Sequence, residues 1–158
     1  MHLETRAPAT CWLELECTRM SVHPARFDIH RGSDVLEVLT GEYALISLPP
    51  DAVLTLPAMG ELRVLVQDPV EITLILEVAA WESIAHLHPE AKANRGYRAV
   101  RLAQDFPLET VGVMAKLTNA LAQAGVSIMA YSTFKTDVVL VRQWELNTAL
   151  GALWDLRF

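Results

Sequence analysis

Cysteine is scarce in this sequence. Cys11 and Cys17 are the two cysteines among 158 residues, too few for a disulfide scaffold, and they are expected to be thiols in a reducing compartment. Positive charge is also short: 13 Lys and Arg stand against 19 Asp and Glu, for a net charge of −6 and a pI near 5.3. With no basic stripe to neutralise phosphates, nucleic acid and anionic membrane surfaces are excluded as main partners. No apolar run reaches the roughly 18 to 20 residues that a membrane span needs, and the longest, Ile72 to Trp81, is broken by Glu77. The start of the chain carries Glu4, Glu14 and Glu16 and lacks a basic segment followed by an apolar one. A signal peptide is therefore not expected, and the cytoplasm is the expected location. Motifs of catalysis are missing too. No serine sits in a nucleophile elbow, no glycine-rich phosphate loop follows a strand, and no His-Glu pair has metalloprotease spacing. Neither an enzyme nor a bound cofactor is expected.

Apolar residues are plentiful, at 52% of the chain, enough for a packed core. Residues 1 to 32 have little periodicity; Cys11 to Cys17 alternates weakly as a short strand would, and Arg19 to Gly32 reads as loop. From Val35 the pattern changes. Asp34–Leu39 and Glu42–Leu48 are β-rich runs joined by a Thr40-Gly41 turn, and Pro49-Pro50 ends the second. Leu62–Gln67 alternates, and Ile72–Val78 suits a strand buried on both faces. Between them, Asp68 to Glu71 reads as a helical turn with Asp68 as its cap. The polar stretch His86 to Gly96 is taken as a linker between two domains.

The last third is the most regular. Tyr97–Leu102 reads as a strand. Val113, Met114, Leu117, Ala120 and Leu121 then share one face of a helix, with Thr110 able to cap its start and Gly125 placed to end it. Val126–Tyr131 and Asp137–Arg142 are strands, Glu145–Leu153 is a second helix, and Trp154–Phe158 is a candidate final strand. Strand, helix, strand, strand, helix describes an α+β unit with an antiparallel sheet and both helices on one face.

Two segments of this unit carry polar chemistry. Gly112, Val113 and Met114 stand at a helix start, where free N–H groups and the helix dipole favour an anion such as a carboxylate. Ser132, Thr133 and Phe134 supply two hydroxyls and a ring, and Asp137 a carboxylate suited to an ammonium group. Together they fit a zwitterion. The plainer reading stays open: Thr110 and Gly112 as cap and packing residues, Asp137 as a turn residue, the hydroxyls satisfied by backbone, and Phe134 as a core or contact residue. Cys11, Cys17, His23, His30, His86 and His88 match no short zinc pattern, and His86 and His88 are expected in solvent. Trp12, Trp81, Trp144 and Trp154 are expected as core or contact anchors.

The run from Asp105 to Ala115, with Leu121 to Ile128 and Tyr131 to Val141, resembles the C-terminal ACT repeat of small tandem-ACT proteins. That family includes bacterial proteins of unknown role and, more distantly, animal arginine sensors that control a growth-signalling kinase. Glu42 to Asp51 more weakly resembles a shortened first repeat. The resemblance implies tandem ACT, ferredoxin-like βαββαβ repeats: an N-terminal extension over 1–32, a shortened ACT-like domain over 33–92 and an ACT domain over 93–158. It also implies that positions aligned with Thr110, Gly112, Val113, Met114, Thr133, Phe134 and Asp137 line a ligand pocket between repeats. Thr110 stands where the arginine sensors carry an acidic residue, which argues against arginine. The expected function is a non-catalytic regulatory module that binds an amino-acid-like ligand and forms a homodimer. The alternative is a ligand-free protein that uses the same fold for oligomerisation or partner contacts.

Overall fold

The computed structural model describes residues 36–58, 60–103, 106–154 and 156. The readings placed on Cys11, Trp12, Cys17, His23 and His30 lie outside them, as does most of the candidate final strand; Trp154 itself closes the last helix.

Among the described residues, seven strands form one antiparallel sheet: β1 (Leu36–Val38), β2 (Tyr43–Leu48), β3 (Val64–Gln67), β4 (Ile72–Glu77), β5 (Lys92–Leu102), β6 (Ile128–Ser132) and β7 (Asp137–Arg142). The helices are α1 (Val78–Ile84), α2 (Val113–Gln123) and α3 (Leu146–Leu153), with 3₁₀ turns at 85–87 and 143–145. Across the sheet the order is β3-β4-β2-β5-β7-β6, and β1 also pairs with β5.

The eleven-residue β5 organises the molecule. Its first half pairs with β2, Lys92 opposite Ser47 and Tyr97 opposite Tyr43. Its second half pairs with β1, Leu102 opposite Leu36, and on its other side with β7, Val100 opposite Val139. Leu39 N–H donates to Ala99 O between the two segments, so β1 and β2 run as one interrupted line along β5, with Gly41 at φ +84° in the break. A ferredoxin-like repeat orders its strands 4-1-3-2, and both halves of the sheet do so. β5-β2-β4-β3 makes the first, and β1-β5-β7-β6 the second. Each half thus takes its outer strand from the other side of the seam. The place of the expected final strand is filled by β1.

Alternation in β2 and β5 sends side chains to two faces. Ala44, Ile46, Leu48, Ile72, Leu74 and Leu76 meet Trp81 and Ile84 of α1. On the same side, Val100, Val139 and Val141 meet Val113, Leu117 and Leu121 of α2, and Ala149 and Leu153 of α3. All three helices therefore cover one face. Each fully buried leucine or valine there contributes roughly 1.5–3 kcal/mol. The opposite face holds Leu39, Tyr43, Ile75, Tyr97, Ala99, Val138 and Leu140, with Leu62 packed on them.

Three expectations are corrected here. Asp68 to Glu71 is a hairpin turn: Asp68 Oδ1 accepts from the N–H groups of Val70 (2.7 Å) and Glu71 (3.0 Å), and these bonds hold its carboxyl below the ordinary range. A hairpin wins because β3 and β4 pair on either side of it. The stretch 86–96 is not a free linker, since it contains a 3₁₀ turn and the first half of β5. His88 is 5% exposed, its ring stacked on Trp81 at 6.2 Å; His86 is exposed.

Candidate ligand-binding site

Helix α2 is bound at its far end by a Schellman closure. Gly125, at φ +71°, donates to Ala122 O, and Val126 N–H donates to Leu121 O at 2.9 Å. Its near end is left open. The residue before the first turn is Gly112, not Thr110. It sits at φ +91°, and no side chain among the described residues caps the helix. Thr110 instead closes a turn, its N–H donating to Pro107 O at 2.9 Å. Lys116 N–H makes the first helical bond, to Gly112 O at 3.0 Å. The N–H groups of Val113, Met114 and Ala115 precede that bond and have no intrahelical acceptor. A Cβ built on Gly112 would meet nothing within 4 Å. The space before the helix is open, and the left-handed backbone there is one that glycine adopts without strain.

The opposing wall is the β6–β7 turn. Thr133 N–H and hydroxyl both donate to Thr136 O at 2.8 Å, and Thr136 N–H returns a bond to the Thr133 hydroxyl at 3.1 Å. The Thr136 hydroxyl donates to Leu102 O, tying the turn to the end of β5. Because β7 lies between β5 and β6, this turn faces the connection that leads from β5 into α2.

A cleft of about 280 Å³ lies between the two walls. Thr110, Gly112, Val113 and Met114 line it on one side, and Ser132, Thr133, Phe134 and Asp137 on the other. The structure thus brings all eight sequence-predicted residues to one cleft. Their parts differ. The Thr133 hydroxyl is spent within its own turn, so Thr133 shapes the wall; Asp137 is half-buried and Ser132 exposed at the rim. Residues that sequence reasoning missed also line it: Phe106, Pro107, Leu108, Ala115, Lys135 and Thr136. Their proximity in sequence to the motif was the available signal. Glu109 lies outside the lining.

The volume is just below the roughly 300–1,000 Å³ common for ligand pockets, which suits a free amino acid better than a nucleotide or peptide. Chemically the cleft offers free amides at a helix start, one half-buried carboxylate, and apolar walls from Phe106, Met114 and Phe134. No group of three or more His, Cys, Asp or Glu side chains placed to hold a metal occurs among the described residues. No helix among them is long and apolar enough to cross a membrane.

Residues 92–155 match the family model of the ACT domain. No curated protein matches the chain in sequence. Among solved structures, the chain is similar to protein Atu0741 from Agrobacterium tumefaciens, at 19% identity and a TM-score of 0.64, covering 75% of this chain and 84% of that one. The regulatory subunit of aspartate kinase from Thermus thermophilus, in its ligand-free form, aligns at 16% identity and a TM-score of 0.53, over 78% and 96% of the two chains. Aspartate kinase from Clostridium acetobutylicum, described as an allosteric enzyme, aligns at 12% identity and a TM-score of 0.58, over 81% of this chain and 36% of its own. At these identities the likeness is one of fold: an α+β, ferredoxin-like arrangement that an allosteric kinase and a regulatory subunit also use.

Proposed function

We propose that the chain is a non-catalytic regulatory module that binds a small amino-acid-like ligand in the cleft between α2 and the β6–β7 turn. In this reading the carboxylate meets the free amides of Val113 and Met114, and the ammonium group meets Asp137. The single observation that carries it is the convergence of an uncapped helix start and a half-buried carboxylate on one cleft of about 280 Å³. The ACT-domain match over 92–155 and the likeness in fold to a kinase regulatory subunit support a regulatory role. Binding would act by favouring one assembly of the protein over another, and a cytoplasmic homodimer is the assembly we propose. The division into a shortened repeat over 33–92 and a second over 93–158 belongs to the same reading.

A second reading, a ligand-free oligomerisation protein, draws on the cleft's rim. There Leu108 and Phe134 are 66% and 77% exposed, and Val111, beside the lining in sequence, is 96% exposed, apolar surface that a partner would cover. Thermal-shift measurements with the twenty amino acids at millimolar concentration separate the two. At least one is expected to raise the melting temperature, and Asp137→Ala to remove that shift. Stability that no amino acid changes, in a persistent dimer, supports the second reading instead.

A further inference from the structure

The cleft's charges are few enough to restrict what it accepts. Among the described residues lining it, Asp137 and Lys135 are the charged side chains. If Asp137 takes the α-ammonium group, no second carboxylate remains among the described lining residues for a guanidinium or a lysine ammonium, and Thr110, at the helix side, is uncharged. A basic ligand side chain would therefore lose its hydration and gain no partner. Among the described lining residues, Lys135 is the charged group able to meet an acidic side chain. It is exposed near the tip of the β6–β7 turn, where its ammonium is already well hydrated and gains little from a second charge.

The uncharged part of the lining is different in kind. Phe106 and Met114 are partly buried and pack on the α2–α3 core, which fixes them as a firm apolar wall. Phe134, across the cleft, is 77% exposed. It lies beyond the Thr133–Thr136 hydrogen bonds that set the shape of the turn. Phe106, Met114 and Phe134 all line the same cleft, and an apolar group seated there would cover both the exposed ring and the apolar wall. A charged or hydroxylated side chain would leave both surfaces unsatisfied.

Resting on the amino-acid reading of this cleft, we infer that its ligand is an α-amino acid with a medium-sized, uncharged apolar side chain, such as leucine, methionine or phenylalanine. That side chain lies between Phe134 and the wall of Phe106 and Met114. Glycine and alanine reach the polar groups and leave the apolar wall bare; lysine, arginine, aspartate and glutamate bring a charge that the cleft does not answer.

Calorimetric titration of the full chain with leucine, methionine, phenylalanine, glycine, lysine and aspartate tests this. The apolar three are expected to bind at least about tenfold more tightly than the others, the discrimination apolar pockets ordinarily reach. Phe134→Ala, at an exposed position that leaves the fold intact, is expected to weaken leucine about tenfold and leave glycine unchanged. Tightest binding of lysine or aspartate would overturn the inference while leaving the amino-acid reading standing. So would an equal loss for leucine and glycine in Phe134→Ala. Absence of heat with all six, joined to the absence of any thermal shift, overturns the amino-acid reading and this inference with it.

Discussion

The two halves of the sheet share one strand order and differ in the connection that follows the first strand of each and in the source of the outer strand. In the C-terminal half, β5 leads into the eleven-residue α2, which buries Val113, Leu117 and Leu121. In the N-terminal half, β2 leads through residues 49–63 into β3 with no helix between. Of that connection, Ala52 and Leu54 pack on the core under α1, and Leu62 packs on the opposite face of the sheet. With no helix there among the described residues, this half has no helix start at the corresponding place. One half therefore carries the cleft, and the other extends the sheet. What joins them is β5, whose first half pairs with β2 and whose second half pairs with β1 and β7. Arg142 reinforces the seam: its guanidinium lies 4.1 Å from the centre of the Tyr97 ring and donates to Asn94 Oδ1 and Arg95 O, each at 3.0 Å.

The sharpest way to break this comparison is to separate the halves. Residues 93–158 alone lose β1 and the whole β1–β2 side of β5, baring an edge lined by Val100 and Leu102. No cooperative thermal transition by circular dichroism is expected from that fragment. A fragment that melts sharply would mean the halves are independent.

A smaller effect is expected at the helix start. Gly112→Ala forces a side chain into a left-handed backbone, at a cost on the order of 1–3 kcal/mol, and puts a methyl group into the open space before Val113 that the ligand carboxylate would take. Urea denaturation should show that loss, and ligand-induced stabilisation should vanish with it. Retained stability with a full ligand shift would place the binding elsewhere.

The smallest expected effect lies at the seam, and it is a gain. Tyr43 is fully buried opposite Tyr97, and its hydroxyl has no partner. Replacing it by phenylalanine relieves an unsatisfied polar group, so Tyr43→Phe should stabilise by about 1 kcal/mol in urea denaturation. Burial, reinforced by the Glu77 and Glu61 carboxylates, pushes the Tyr43 phenol well above its ordinary range. In the unfolded chain that phenol ionises near pH ~10. Above that pH the unfolded chain releases a proton that the native one keeps, so stability falls as pH rises. The fall should be shallower in Tyr43→Phe. Equal slopes would show that the Tyr43 proton has no part in it.

Much of the sheet was legible because strands buried on both faces leave continuous apolar runs. Asp137–Arg142 was read with the bounds the structure has, and β2 and β4 to within a residue. Helix α2 was legible by spacing, and Gly112 to Met114 were read at its start as the structure has them; the part given to Thr110 as its cap was not. A Thr before an apolar stripe is the usual cap signal, and only the Pro107–Thr110 turn and the φ of Gly112 reveal that the helix begins later. Helix α1 left no signal at all. It continues directly from β4, its N-cap Glu77 makes no capping bond, and Val78 reads equally well as strand. The burial of His88 depends on stacking with Trp81, and the use of β1 as the second half's outer strand on pairing across some 60 residues. Neither is a local property of sequence. The cleft residues were found from two short segments because chain order and sheet order bring α2 and the β6–β7 turn together. Phe106, Lys135 and Thr136 escaped because their types carry no distinctive chemistry until the turn geometry is known.

Backbone amide shifts by NMR during titration with leucine test the central claim most directly. The account predicts that the largest changes fall on Gly112, Val113 and Met114 and on Ser132 to Asp137, with β3 and β4 unmoved. Saturable changes centred on the N-terminal half, with the α2 start silent, would contradict it.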